Sequence, residues 1–429
     1  MSNLILHDAR QIVTCAGRAP KRGAHMRDIG LLLHHSIIIE RGIISEILPA
    51  THVLPKYSHR IDSGDYTIID CSSDVLMPGF VDPHTHCLFT GTREDEFEMR
   101  IEGKTYVDIL LGGGGILNTV HRVRAASDEE LLASTLPRLD RMLRHGTTTC
   151  EIKSGYGLDL DSELAMLRSI ARLNDRHAID AVPTFMGAHA VPPEFADRLD
   201  EYTTLVTDVM LPRVAEQHLA RYCDIFCERK VFPVEQSRRI LERARELDFD
   251  LKAHVDEIEA IGGLELALEL GATSVEHLIV ATDEGIDVLA RSPTIAILLP
   301  GTAFSLMHGT YARARRMIDK GVAVALATDC NPGSCYTESM QIVIAIACTQ
   351  MKMVAAEAIT ATTINAAASI GLADRVGSLE PGKQADVVAF SIPDYKYIPY
   401  HFGVNHVRLV IKRGVVVVDT GQDGSVDVP

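Results

Sequence analysis

Eight short strand-like runs recur through the middle of the chain, and stretches of helical periodicity separate several of them. The runs cover 75–86, 146–154, 178–189, 223–228, 251–257, 273–278, 294–300 and 322–329. Between them, 161–176 carries Leu164, Leu167, Ile170 and Ala171 on one helical face, and 234–247 carries Ile240, Leu241, Ala244 and Leu247. Segment 264–270 ends at Gly271, a residue suited to the left-handed turn that follows a helix. Strands that alternate with helices form parallel sheets, because each return to the same direction needs a crossover. Eight such units predict an α/β chain folded as a (β/α)8 TIM barrel. A doubly wound open sheet is the rival, and the first run lacks the Gly-x-Gly-x-x-Gly turn that would favour it.

Both chain ends read differently. Segments 3–7, 36–40 and 66–70, and later 385–390, 407–412 and 415–418, are short, β-rich and broken by glycine or charged turns. They predict a small composite β-sandwich domain made from both chain ends. The expected organisation is 1–75 and 381–429 as its two parts around a barrel of 76–380. With 429 residues, 46% of them apolar, the chain has material for one barrel core and a smaller one beside it.

In barrels of this kind the chemistry gathers at the C-terminal ends of the strands. His84, His86, Lys153, Tyr156, His189, Glu228, His254, Glu257, His277 and Asp329 all fall at such ends. His84 and His86 are two residues apart, which on an extended strand puts them on one side. In 322–329, Ala323, Ala325 and Ala327 share a face with Asp329, so this carboxylate is expected to point into the barrel mouth. His84, His86, His254 and Asp329 then form a metal-binding set of three imidazoles and one carboxylate, suited to one Zn2+ or Fe3+ per subunit. An ion held this way brings the pKa of bound water towards neutrality and polarises a carbonyl. Asp329 is placed to take the water's proton. His277 either orients that water, steadies the developing oxyanion, or serves as a hydrogen-bond partner behind the ligands.

Charge narrows the function. Lys plus Arg number 42 against 58 Asp plus Glu, a net −16, which opposes nucleic-acid binding without a strong basic patch, and none is present. Nine cysteines without close pairs, and no apolar run long enough for a bilayer, lead to the expectation of a cytoplasmic protein with reduced thiols and no membrane contact. Gly112 to Gly115 lacks the Gly-Lys-Ser/Thr of a phosphate loop and is expected as a flexible loop over the barrel mouth. Cys87 and Cys330 are expected to be packing residues.

The pattern of His84 and His86, His254, His277 and Asp329 resembles the amidohydrolase superfamily. Binuclear members often add a carboxylated lysine at the fourth strand. Here Lys230 lies two residues beyond Glu228, so one metal is expected rather than two. Segments 83–86, 93–97, 153–157, 187–190, 329–334 and 399–405 resemble, more narrowly, the imidazolonepropionase family, over about residues 75–415. That resemblance implies a hydrolase that opens the cyclic amide C–N bond of 4-imidazolone-5-propanoate to N-formimino-L-glutamate in histidine degradation. It implies the same four metal ligands, and substrate contacts at Arg93, Tyr156, His189, Glu257, Asn331, Gly333 and Ser334.

The chemistry of these residues agrees. Arg93 suits a propanoate carboxylate through a two-pronged hydrogen bond. Glu257 can accept a ring N–H and pass a proton to the leaving nitrogen. His189 is expected to donate to the carbonyl oxygen, and Tyr156 with the 331–334 loop to offer neutral donors. Tyr106 is a further candidate for the pocket wall. Departures from the common family pattern at Val255, Glu276 and Cys330 are expected to alter packing only. The rival functions are a related amidohydrolase deaminating an aromatic base, for which Arg93 has little use, and a non-catalytic barrel. The expected partner is a small molecule with a carboxylate tail, and the expected assembly is a homodimer.

Overall fold

The computed structural model describes residues 3–104 and 114–421; Tyr106, Gly112 and Gly113 lie outside the described residues. Eight parallel strands follow one another around a single sheet: β6 (Phe80–Asp82), β7 (Thr147–Lys153), β8 (Asp180–Ala188), β9 (Tyr222–Cys227), β10 (Asp250–Val255), β11 (Ser274–His277), β12 (Ile295–Leu298) and β13 (Ala323–Leu326). Each pairs in parallel with its neighbour in chain order. The ring closes just past the strand ends. Thr85 and Cys330 form a parallel bridge, the Asp329 amide donates to the His84 carbonyl at 3.1 Å, and the His86 amide donates to the Cys330 carbonyl at 3.0 Å.

Helices Leu160–Arg176, Val234–Glu246 and Gly263–Glu269 fall where the periodicity predicts them. Asp159 caps the first, its carboxylate accepting from the Ser162 amide. The strands are buried on both faces, as crossover helices require. Val322, Val324 and Leu326 pack into the large cluster shared with the helices. Ala323, Ala325 and Ala327 join a separate cluster with Val81, Ile295, Ile297 and Ile370. The alternation read in the sequence therefore sorts small side chains inward.

The run 75–86 divides at Gly79. Val75–Pro78 (β5) belongs to a second sheet and only Phe80–Asp82 enters the barrel. The backbone passes so close to β7 here that a Cβ at Gly79 would meet Thr148 Oγ1 at 2.2 Å. The second sheet contains β1 (Asn3–Val13), β2 (Leu31–Glu40), β3 (Ile43–Pro49), β4 (Tyr66–Asp70), β14 (Val387–Phe390), β15 (Val407–Lys412) and β16 (Val415–Asp419). Its order is β16-β15-β14-β5-β1-β2-β3, with β4 beside β1.

The expected sandwich is thus one mixed sheet built from both chain ends. Its wings curl towards each other: the Ile44 amide donates to the Lys383 carbonyl and the Ala385 amide to the Gly42 carbonyl, each at 2.9 Å. Ile37, Ile39, Val387, Leu409 and Ile411 fill the core between them. No helix among the described residues is long and apolar enough to cross a membrane.

Candidate metal centre and its cavity

Four side chains from opposite sides of the ring meet at the mouth of the barrel. His84 Nε2 lies 3.4 Å and His86 Nε2 3.8 Å from Asp329 Oδ1, and His254 Nε2 lies 3.4 Å from His86 Nε2. Donors bonded tetrahedrally at 2.0–2.1 Å from one zinc ion sit about 3.3 Å apart, so the spacing fits a single ion. His84, His86 and Asp329 form one buried group of potential ligands, and His84, His254 and His277 form a second that overlaps it. His84 Nε2, His86 Nδ1 and His277 Nδ1 are buried without a hydrogen-bond partner among the described residues. The donor set is the one such an ion takes.

The electrostatics agree. Burial, then the neighbouring imidazoles, hold His86 and His254 well below the usual histidine range, leaving neutral rings with lone pairs. Burial also opposes charge on His84, but Glu276 and Asp329 outweigh it and raise its pKa to about 9, so this corner of the site draws positive charge. Burial would raise Asp329, yet His84, His277 and Thr302 bring it down to about 2. Asp329 is reached in a way strand alternation does not describe. It lies three residues beyond β13 in left-handed backbone, φ 53°, and Thr302 Oγ1 donates to its Oδ2 at 2.6 Å. His277 is similarly turned, φ 72°.

Beneath the four groups lies a layer of charge absent from the sequence-based expectation. His254 Nδ1 meets Asp224 Oδ1 at 3.1 Å. His84 Nδ1 is 2.6 Å from Glu276 Oε2, within ion-pair distance although not aligned as a hydrogen bond. Lys153 Nζ binds Asp224 at 2.6 Å, Glu151 at 2.8 Å and Glu276 at 3.2 Å, and Lys252 Nζ reaches Glu276 at 3.3 Å. Carboxylates behind metal-binding imidazoles set ring orientation and raise basicity. Glu276, expected to matter only for packing, is one of these supports.

A cavity of about 1150 Å³ opens above the cluster and is lined by Arg93, Arg100, Tyr156, His189, Glu257, His277, Asn331, Gly333 and Ser334 among others. The substrate contacts implied by resemblance therefore come together. Three differ in detail from expectation. Arg93 is mostly buried, and its Nε and Nη2 are both turned to Glu96 Oε2, at 2.9 and 2.6 Å, so one prong of its fork is occupied. His189 Nδ1 meets the Gly155 carbonyl at 3.0 Å. A carbonyl only accepts, and burial lowers the His189 pKa to about 4, so the neutral ring carries its proton on Nδ1 and leaves Nε2 as an acceptor rather than a donor. The Asn331 amide is engaged inside its own loop: Oδ1 accepts from the Gly333 and Ser334 amides, and Nδ2 donates to the Asp329 carbonyl and to Ser334 Oγ.

Two buried carboxylates hold the loops around the cavity. Glu163 accepts from the Gly155, Gly157 and Leu158 amides at 2.8–3.1 Å, fixing the turn that carries Tyr156. Glu228 accepts from the Ile258 and Glu259 amides and so holds the loop of Glu257. Burial, and then the charges of Asp329 and Glu228, push Glu257 up to about 8; its Oε2 is 3.6 Å from His277 Nε2.

Residues 75–417 match the family model described as the amidohydrolase family. Imidazolonepropionase of Clostridium tetani (strain Massachusetts / E88) is 49% identical over 415 residues, 97% of this chain and 98% of that protein. Imidazolonepropionase of Geobacillus kaustophilus (strain HTA426) is 49% identical over 424 residues, 98% of this chain and 99% of that protein. The chain belongs to the imidazolonepropionases of the amidohydrolase family. Among solved structures, triazine hydrolase from Arthobacter aurescens superposes with a TM-score of 0.74 at 16% identity, covering 98% of this chain and 95% of that one. An adenosine deaminase from Xanthomonas campestris with bound zinc superposes at 0.71 and 19% identity, covering 100% and 95%. These likenesses show that the fold is shared.

Proposed function

We propose that this chain hydrolyses the cyclic amide C–N bond of 4-imidazolone-5-propanoate, giving N-formimino-L-glutamate in histidine degradation. One observation carries the reading: a single cavity has a three-imidazole, one-carboxylate cluster at its base and arginines in its wall. A ring amide with an acidic tail matches both ends. A neutral aromatic base, the substrate of a deaminase, leaves the arginines unused. The near-identical span of the imidazolonepropionase relatives supports the same choice.

His84, His86, His254 and Asp329 would hold one zinc or iron ion per chain. When bound, the ion supplies a water of lowered pKa and a polarised carbonyl. Asp329, in contact with Thr302 through its other oxygen, accepts the proton of the attacking water. His277 orients that water from the side of Glu257. As the ring C–N bond breaks, Glu257 delivers a proton to the leaving nitrogen. His189 accepts a ring N–H at Nε2, and Tyr156, in a turn held by Glu163, packs beside it with 5.3 Å between ring centroids. Arg93 and the Gly333–Ser334 backbone face the tail.

The test is loss of imidazolone absorbance by the purified protein, with and without a chelator, beside cytosine and guanine as deaminase substrates. Turnover of the imidazolone alone, abolished by chelator and restored by zinc or iron, is expected. Release of ammonia from either base without imidazolone turnover would overturn the reading. Elemental analysis of the active protein identifies the ion.

A further inference from the structure

The arginine wall of the cavity holds more positive charge than its acid neutralises. Glu96 is buried and both of its oxygens are in use: Oε2 accepts from Arg93, and Oε1 accepts from the Gly115 amide at 3.1 Å. The pair of Arg93 and Glu96 is therefore close to neutral as seen from the cavity. Among the described residues no acid balances Arg100 in this way. It sits two turns along the same helix, Glu94–Ile101, and lines the same cavity. Its Nη1 donates to the Gly333 carbonyl at 2.8 Å, and its buried Nε has no partner among the described residues. Burial, then the like charge of Arg93, weigh against its charge more than Glu96 supports it. A guanidinium stays protonated under that pressure and gains from an anion brought beside it.

Gly333 is where the two arginines meet. A Cβ there would lie 2.3 Å from Arg93 Nη1, and the carbonyl of the same residue holds Arg100. The chain as a whole carries −16, so this wall is a local reversal of sign inside a cleft, where field is focused.

We propose that Arg100 acts with Arg93 as the anchor for the substrate's carboxylate, and that Arg100 makes this cavity prefer an acid to its uncharged counterpart. The proposal rests on the function above only for which acid is bound; the charge balance of the wall stands without it. Arg93 fixes the direction of approach, since Glu96 and Gly333 hold its plane. Arg100 supplies the unmatched charge.

The experiment is calorimetric titration of the metal-loaded protein with imidazole-4-propanoate and with its primary amide. The two probes share a ring, so contacts at the metal cancel in the comparison. The parent protein is expected to bind the acid about tenfold more tightly than the amide, a ratio typical of one well-placed charge-assisted hydrogen bond. Arg100→Gln should remove that preference while the amide's affinity and the metal content stay unchanged, and Arg100→Lys should restore most of it. Equal loss for both probes would make Arg100 a support of the Gly333 loop only, and no change for either would remove it from the subsite; each overturns the proposal. Turnover of the imidazolone by the parent protein is read separately. Its failure would displace the substrate while leaving the preference for an acid intact.

Discussion

The axis of the barrel and the core of the mixed sheet are equally buried and oppositely made. Between the curled wings of the sheet a continuous apolar cluster is buried, from Leu4 and Leu6 to Leu409 and Ile411. Along the barrel axis Glu151, Lys153, Asp224, Lys252 and Glu276 are wholly buried and touch one another. Two ammonium groups there face three carboxylates. Buried ion networks contribute little net stability, because desolvation costs offset their attraction, and apolar replacements of similar volume hold a fold as well. The sheet is therefore the region built for stability, and the axis is the region built to keep imidazoles in place. Substitutions in the two regions should separate these properties.

The largest effect is expected at the metal end. Asp329→Ala should lower kcat about 10³-fold, the scale for losing a proton-transfer group, while unfolding stability remains close to the parent's. Steady-state kinetics with elemental analysis checks this, and a variant that unfolds instead would break the contrast. Ile411→Ala, in the sheet, should do the reverse. It should cost about 2–5 kcal/mol in denaturant unfolding and leave kcat of the folded fraction unchanged.

Glu163→Gln tests a case between these extremes, since this buried acid supports a binding loop rather than a core. Three N–H groups converge on Oε1 and the Gly155 amide also reaches Oε2. An amide loses the charge and sets an NH2 against the Gly155 amide, so the turn of Tyr156 should loosen and KM rise about tenfold with metal content unchanged. A fall in stability alone, with KM constant, would assign Glu163 to the fold. The smallest effect is expected where barrel and sheet join. Asp180 of β8 binds Lys412 of β15 at 2.8 Å and also contacts Arg413. Burial would raise its pKa, but Lys412, Gln384 and Arg413 outweigh this and lower it. Folded Asp180 thus takes up its proton less readily than unfolded Asp180. The stability it contributes is complete above the ordinary aspartate pKa and is lost as pH falls through the depressed folded value. Asp180→Asn should cost about 1–2 kcal/mol at pH 7 and converge with the parent in acid, as read by denaturant unfolding across pH.

Much of this contrast was visible in the chain. The eight runs, the helical faces between them and the small residues of 322–329 depend on local periodicity, and a barrel strand overlaps each run, the first only at Phe80–Asp82. The convergence of His84, His86, His254 and Asp329 was legible because histidines at separate strand ends have no common packing reason. The charged layer beneath was also accessible to the period of two. Lys252 precedes His254, Glu151 precedes Lys153, and Ser274 precedes Glu276, each by two residues and so on one face of its strand. What local pattern does not encode is the division at Gly79, which comes from contact with Thr148 on β7. Nor does it encode the left-handed turns at His277 and Asp329, or the capture of Arg93 by Glu96. These depend on neighbours that only the closed ring brings near.

The Asp82 carboxylate, just before His84 and His86, accepts from the Thr328 amide and hydroxyl, 246 residues away in the chain. This clasp and the bridge between Thr85 and Cys330 are what bring His84 and His86 to Asp329. During synthesis, seven strands can leave the ribosome before the eighth is available to complete the ring. A nascent chain therefore carries its first two histidines for most of its translation without Asp329, and the cluster at the barrel mouth cannot assemble before nearly the whole barrel has emerged.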